Sequence, residues 1–247
     1  MNENSRAFAA ARRVIGGALG WLLIWLAGGA LALWLKASFG AVALAVAGGW
    51  VLFSVFTLYF FRDPEPRTPA SLEAIVAPGH GLVDCVDEAV EPEFMEGVCR
   101  RISIFLSVFD VHVQNAPVAG KVAFLRHQAG QFLSALKTES AGCNENVLIG
   151  IESGERPGER IAVRQIAGLI ARRIVTWANV GDTVSRGQRL GLIQYGSRCD
   201  LYLPLSAQIT VGPGDRVVGG ETVVAKRALW GDRLERTPTV AESSLPV

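Results

Sequence analysis

Two long stretches without a single charged residue constrain this chain more than anything else in it. Residues 14–35 and 37–61 contain no charge at all, and Lys36 alone separates them. A bilayer core of about 30 Å takes roughly 20 residues of helix, and each stretch is long enough. A secretory signal has one apolar region of about 7–15 residues followed by a small-residue cleavage site. Two longer segments joined so tightly predict a membrane hairpin of two helices instead. Gly16, Gly17, Gly20, Gly28 and Gly29, then Gly40, Gly48 and Gly49, would weaken a solvated helix but let paired membrane helices approach closely. Trp21, Trp25, Trp34, Trp50 and Tyr59 supply interfacial aromatics. Arg6, Arg12 and Arg13 precede the hairpin and Arg62 and Arg67 follow it, against Lys36 at its tip. The positive-inside rule therefore places both ends in the cytoplasm, with full spanning or a dip into one leaflet both open. A buried pair of core helices in a soluble protein is the plainer alternative.

Residues 61–69, Phe-Arg-Asp-Pro-Glu-Pro-Arg-Thr-Pro, cannot continue a helix. Beyond them apolar residues recur at strand-like spacing. Expected strands are 74–77, 81–86, 101–106, 112–115, 120–125, 146–152, 160–166, 189–194, 199–204 and 222–225. Only residues 167–176 have a helix-like pattern. Turn signals every eight to twelve residues predict a mainly β, barrel-sandwich-like domain behind the hairpin. The expected division is a hairpin at 1–61, a linker at 62–73, a β-rich domain at 74–236 and a tail at 237–247. A net charge of +1 argues against a nucleic-acid partner, which needs a basic face. Cysteines 85, 99, 143 and 199 lack the spacing of a metal site or disulfide framework, which fits a reduced, cytoplasm-facing domain and no metal.

A weak internal repeat relates 180–188 (VGDTVSRGQ) to 211–221 (VGPGDRVVGGE). Gly-Asp, Val and Gly in that order mark tight turns entering strands, as in lipoyl and biotinyl carriers. None of Lys36, Lys121, Lys137 or Lys226 sits in the exposed hairpin that a carrier would modify. A carrier of that fold is thus a structural echo, and a membrane-anchored barrel-sandwich adaptor stays open as an alternative.

The chemistry lies in 191–204 (GLIQYGSRCDLYLP). Gly-Ser between two strands is ordinarily a turn, and no nucleophile elbow is present, because Gly-x-Ser-x-Gly is absent. A serine after glycine has one further option. Its hydroxyl can attack the preceding, unhindered carbonyl to form an ester, which can then eliminate across the acidic Cα–H and leave dehydroalanine.

Phe60-Phe61-Arg62-Asp63-Pro64, Phe109-Asp110-Val111-His112-Val113, Asn144-Glu145-Asn146, Val163-Arg164-Gln165-Ile166-Ala167-Gly168 and Tyr195-Gly196-Ser197-Arg198 occur in this order. In that respect the chain, from about residue 60 to 225, resembles phosphatidylserine decarboxylase proenzymes of the short bacterial and archaeal type with an N-terminal membrane hairpin. The resemblance implies self-cleavage between Gly196 and Ser197 into a β chain, 1–196, and an α chain, 197–247, that stay together as a heterodimer, with a higher oligomer open. Ser197 would become a pyruvoyl group that forms a Schiff base with phosphatidylserine and serves as an electron sink. The product would be phosphatidylethanolamine, and the location a bacterial inner membrane with the catalytic domain on its cytoplasmic side.

The resemblance also assigns proton transfer to His112. Two residues from Asp110 on an expected strand, it would share a face with that carboxylate. One position departs from the family. Where the usual Ser-Pro-Ala-Asp-Gly places the histidine-orienting aspartate, this chain has Ala77-Pro78-Gly79-His80-Gly81. An imidazole cannot supply the fixed negative charge that stabilises an imidazolium. Either Asp84, Asp87 or Asp110 substitutes, or His80 acts as a base, or processing is slow or absent; the last would make the chain a lipid-binding relative. Arg198 could meet the substrate's carboxylate or phosphate, or pair across strands with a residue such as Asp200.

Overall fold

A computed structural model of the chain describes residues 4–34, 39–131, 143–168, 173–194 and 197–227. Helices α1 (Asn4–Trp34) and α2 (Phe39–Phe60) form the front end. Within them Ala11–Leu31 and Gly40–Phe60 are each long and apolar enough to cross a membrane, with mean hydropathies of 1.9 and 2.1. Trp21, Trp25, Leu44 and Leu52 stand exposed along them. Lys36 lies outside the described residues.

The remainder is β. Its strands are β1 (Ala74–Val76), β2 (Gly81–Glu91), β3 (Gly97–Leu106), β4 (Val113–Asn115), β5 (Gly120–Gln128), β6 (Asn146–Ser153), β7 (Arg160–Ala167), β8 (Ile174–Thr176), β9 (Thr183–Val184), β10 (Arg189–Ile193), β11 (Ser197–Leu203), β12 (Gln208–Ile209), β13 (Arg216–Val217) and β14 (Val223–Lys226). Eight strands form one sheet curled into a half-barrel, in the order β13-β2-β3-β11-β7-β6-β5-β9, and two three-stranded sheets, β4-β10-β8 and β1-β14-β12, accompany it. Alternation builds the core. Ile102, Ile104 and Leu106 on β3, Val147, Ile149 and Ile151 on β6, and Cys199, Leu201 and Leu203 on β11 all project into one cluster. The alternate residues of β11, Arg198, Asp200 and Tyr202, take the other face.

The weak sequence repeat has a close structural counterpart. Gly181 and Gly214 have φ of 99° and 98°, and Gly187 and Gly220 have 78° and 75°. These left-handed conformations suit glycine. The amide of Gly181 donates to Val122 O and that of Gly214 to Val83 O, both at 2.8 Å. β9 thereby caps β5 at one edge of the large sheet, and β13 caps β2 at the other. The register shifts at matching places, between Val83 and Cys85 and between Val122 and Phe124.

All ten expected strands are present, within a few residues at their ends. The helix-like reading of 167–176 is overturned at both of its ends. Ala167 closes β7 and Ile174–Thr176 form β8, because pairing with Gly191, Leu192 and Ile193 of β10 overrides local propensity. β4 begins at Val113, which leaves His112 just before the strand. The tail 237–247 lies outside the described residues.

Candidate active site

Three chain segments converge at the first residue of β11. Ser197 is paired on one side with Leu106, the last residue of β3, and on the other with Ala167, the last residue of β7. The turn after Leu106 leads directly to His112. The segment before Ser197 returns to it as well, since the Ile193 amide donates to His112 O at 3.1 Å. The third segment is 78–80: a Cβ at Gly79 would lie 3.6 Å from Cys199 Cβ and 3.8 Å from the Leu106 methyls. His80 follows, beside Asn115 and Gly219.

His112 is completely buried. Its Nδ1 is 2.9 Å from the main-chain carbonyl of Asp110. A carbonyl can only accept, so Nδ1 carries the proton and Nε2 is the basic nitrogen. Burial pulls its pKa from 6.5 to about 4, and the nearby Arg62 and His80 push in the same direction against Asp110. The ring lies on Phe60, with centroids 4.2 Å apart and planes at 33°. Phe60 and Phe61, at the end of α2, pack with Ala11, Val111, Val113 and Leu192 in one small apolar cluster. The base of the hairpin therefore forms a wall of the histidine's pocket.

A buried relay holds the main chain of His112. Gln165 Nε2 on β7 donates to Gln114 Oε1 on β4 at 2.7 Å, and Gln114 Nε2 donates to His112 O at 2.8 Å. Gly191 makes room for it: a Cβ there would sit 2.6 Å from Val175 O and 2.8 Å from Gln165 Nε2. Asn144 Nδ2 donates to Ala167 O at 2.8 Å, which ties down the residue opposite Ser197. Two buried oxygens here lack a hydrogen-bond partner among the described residues, Ser197 Oγ and Gln165 Oε1. A buried hydroxyl left unsatisfied costs about 1–3 kcal/mol, which is unusual in a residue with a purely structural role.

The aspartates weighed as orienting acids are otherwise engaged. Asp84 takes a bidentate ion pair from Arg198, and Asp87 takes one from Arg101 at 2.9 and 2.6 Å. Asp110 Oδ2 accepts from the Ser107 amide and hydroxyl at 2.9 and 2.7 Å, and Oδ1 accepts from Arg216 at 3.1 Å. Asp110 thus offers His112 its carbonyl rather than its carboxylate, in place of the shared strand face expected from spacing. His80 also has its pKa lowered to about 4, by burial first, with Asp110 and Glu221 opposing and Arg62 assisting. Both histidines are neutral at ordinary pH. Among the described residues no cluster of His, Cys, Asp or Glu could hold a metal ion.

The family model for phosphatidylserine decarboxylase matches residues 53–225. That decides the family. The chain belongs to the phosphatidylserine decarboxylases. Several curated relatives, each named phosphatidylserine decarboxylase proenzyme, agree. One from Desulfotalea psychrophila is 45% identical over 177 residues, 72% of this chain and 82% of the relative. One from Symbiobacterium thermophilum is 43% identical over 196 residues, covering 79% and 87%. One from Mycobacteroides abscessus is 46% identical over 195 residues, covering 76% and 81%.

Within this decarboxylase the fold sets His80 near His112 and pairs Ser197 with the last residue of the strand whose following turn carries His112. Gly196 and Tyr195 lie outside the described residues. Arg198, directly after Ser197, is fully buried on the opposite face of β11 and pairs with Asp84, not with Asp200. Asp200 instead accepts from Ser103 Oγ at 2.5 Å, and burial raises its pKa. Phe60, Gln114, Gln165 and Asn144 had no role assigned from sequence. Only Gln114 falls outside the family-like motifs, and single buried glutamines on strands carry no other signal.

Proposed function

We propose that the protein decarboxylates phosphatidylserine to phosphatidylethanolamine and CO2 after cleaving itself between Gly196 and Ser197. The reading rests on the buried Ser197 hydroxyl, unpartnered among the described residues and held between the ends of β3 and β7, in a chain of this family. Loss of the Ser197 proton, with His112 Nε2 as acceptor, lets Oγ attack the carbonyl of residue 196. The 196–197 amide bond breaks as the ester forms, and the nitrogen of Ser197 leaves as a protonated amine. Removal of the Ser197 Cα proton then expels the carboxylate of residue 196 and leaves dehydroalanine. Hydrolysis of dehydroalanine releases ammonia and gives the pyruvoyl group.

The site fits that group, because a ketone at this position removes a buried O–H donor that no described residue pairs. Once formed, the pyruvoyl carbonyl supplies the electron sink into which a departing CO2 leaves its bonding pair. The chain's own residues do the rest. His112, with Nδ1 held by Asp110 O, carries a proton at Nε2 between steps. Gln165 Oε1 is an acceptor for the substrate's amine. Phe60 and the apolar cluster exclude water. Arg198 is a positioning residue that locks β11 to β2 through Asp84. The hairpin keeps this site at a bilayer surface, on the cytoplasmic side by its flanking arginines, where a lipid headgroup meets it.

The β chain, 1–196, and the α chain, 197–247, stay joined through the pairing of β11 with β3 and β7. A test is CO2 release from carboxyl-labelled phosphatidylserine in vesicles, with Ser197→Ala expected to abolish both cleavage and release. Normal release by that variant would sink the mechanism. His80, in place of a carboxylate, favours one rival, a lipid-binding relative that remains a single chain and releases nothing.

A further inference from the structure

The large apolar residue Phe109 stands 64% exposed on the turn that joins β3 to His112. A single exposed apolar residue needs no explanation by itself, but the surroundings of this one point to its use. The carbonyl of Phe109 accepts from Tyr59 Oη at 3.3 Å and from Arg62 Nη2 at 2.6 Å. Those two residues flank the end of the apolar span of α2 at Phe60, and the Arg62 guanidinium lies 4.0 Å over the Tyr59 ring. Aromatic and arginine side chains at such an end lie at headgroup level. The turn is thus bonded to the place where the helix leaves the bilayer.

On its other side, Asp110 holds Arg216, whose side chain is 69% exposed. Across the β13–β2 pairing, Arg216 is in register with Leu82, itself 37% exposed. The resulting surface has a protruding aromatic, a second apolar residue and two flanking cations, Arg62 and Arg216. Its charge complements an anionic lipid surface, and it is continuous with the membrane helices.

We propose that the turn 107–110 is a second membrane contact, with Phe109 inserted into the lipid interface between Arg62 and Arg216. The contact fixes the height of the bilayer relative to His112, three residues further on. A substrate headgroup is then reached without the lipid leaving the membrane. The proposal rests on the hairpin lying in the bilayer, as read above, but not on the chemistry at Ser197.

The test uses the full chain with Cys85 and Cys143 changed to serine, reconstituted in vesicles of phosphatidylcholine and phosphatidylglycerol. A nitroxide is attached at Phe109→Cys, at Leu52→Cys in mid-α2, or at Val90→Cys. Val90 lies at the far end of β2, eight residues from Leu82 and so about 26 Å away. The label at 109 is expected to collide with dissolved oxygen more, and with a water-soluble nickel chelate less, than the label at 90, and so to group with the label at 52. A label at 109 as nickel-accessible as that at 90, with 52 protected, overturns the contact and leaves the hairpin standing. Nickel access at 52 as well overturns both. Spin–spin broadening between two 109 labels would make the patch an interface between copies and also overturn it.

In the native-cysteine chain, Phe109→Asp should raise the apparent KM for bilayer phosphatidylserine about tenfold, or about 1.4 kcal/mol, with kcat unchanged and with Phe109→Leu close to wild type. Equal loss on a dispersed short-chain phosphatidylserine would contradict the contact.

Discussion

The ring of Phe60, the last residue of the second apolar helix, lies against the imidazole of His112 at a centroid distance of 4.2 Å. Both side chains are fully buried. This contact ties the second apolar helix to the histidine proposed to transfer protons, so the helical hairpin forms part of the candidate site. It also dries the imidazole, and that drying is the main cause of the depressed pKa.

Phe60→Ala should therefore act in two ways. Truncating a buried phenylalanine costs about 3–5 kcal/mol, and thermal unfolding in detergent should show a marked loss. Water entering beside His112 should also raise its pKa from about 4 toward the ordinary value. The acid limb of the pH–rate profile would move to higher pH in the variant. Phe60→Leu, which keeps most of the apolar volume, should leave the profile in place. An unmoved profile in Phe60→Ala would mean that burial by the helix does not set the imidazole's pKa.

Stability should depend on pH through the two histidines. Each has a folded pKa of about 4 against 6.5 for the free side chain. Between these values the unfolded chain binds more protons than the folded one, so stability rises with pH across the window. It should be fully present above about pH 6.5 and decline as pH falls toward 4. His80→Gln with His112→Gln should flatten that slope in a series of unfolding temperatures. An unchanged slope in the double variant would place the titration elsewhere.

The missing family aspartate yields a quantitative expectation. Asp110 O already fixes the proton on His112 Nδ1 at 2.9 Å, so a carboxylate is not needed to select the tautomer. Loss of the orienting aspartate in a serine-protease triad costs about 10⁴ in rate, attributed to the wrong tautomer. His80→Asp should consequently speed self-cleavage by far less than the roughly 10⁴ of that triad, because only the charge effect remains. The half-time of conversion after a synthesis pulse measures this. An acceleration approaching about 10⁴ would show that the carbonyl does not do the aspartate's work.

The β architecture was legible where strands were long enough to show a period. Ile102-Ser103-Ile104-Phe105-Leu106 alternates visibly, and it is strand. β9, β12 and β13 have two residues each, too few for any period. Ile174–Thr176 looked helical because the pattern around it was, and only its pairing with β10 makes it strand. At the site, Ser197 and His112 were legible because neighbouring residues form family-like motifs. The Gln165–Gln114 relay was not, because it joins positions 51 residues apart through strand packing that no local pattern encodes. The carbonyl held by His112 was missed for another reason: spacing speaks of side chains, and here Asp110 turns its carboxylate to Ser107 and Arg216 and leaves its main chain to the histidine.

Intact-mass spectrometry of the purified chain under denaturing conditions addresses the central claim most directly. Two polypeptides are expected, one ending at Gly196 and one beginning at position 197 with a ketone in place of the amine, its mass raised by hydride reduction. A single polypeptide of 247 residues carrying an unmodified Ser197, and persisting after prolonged incubation with phosphatidylserine vesicles, would contradict it.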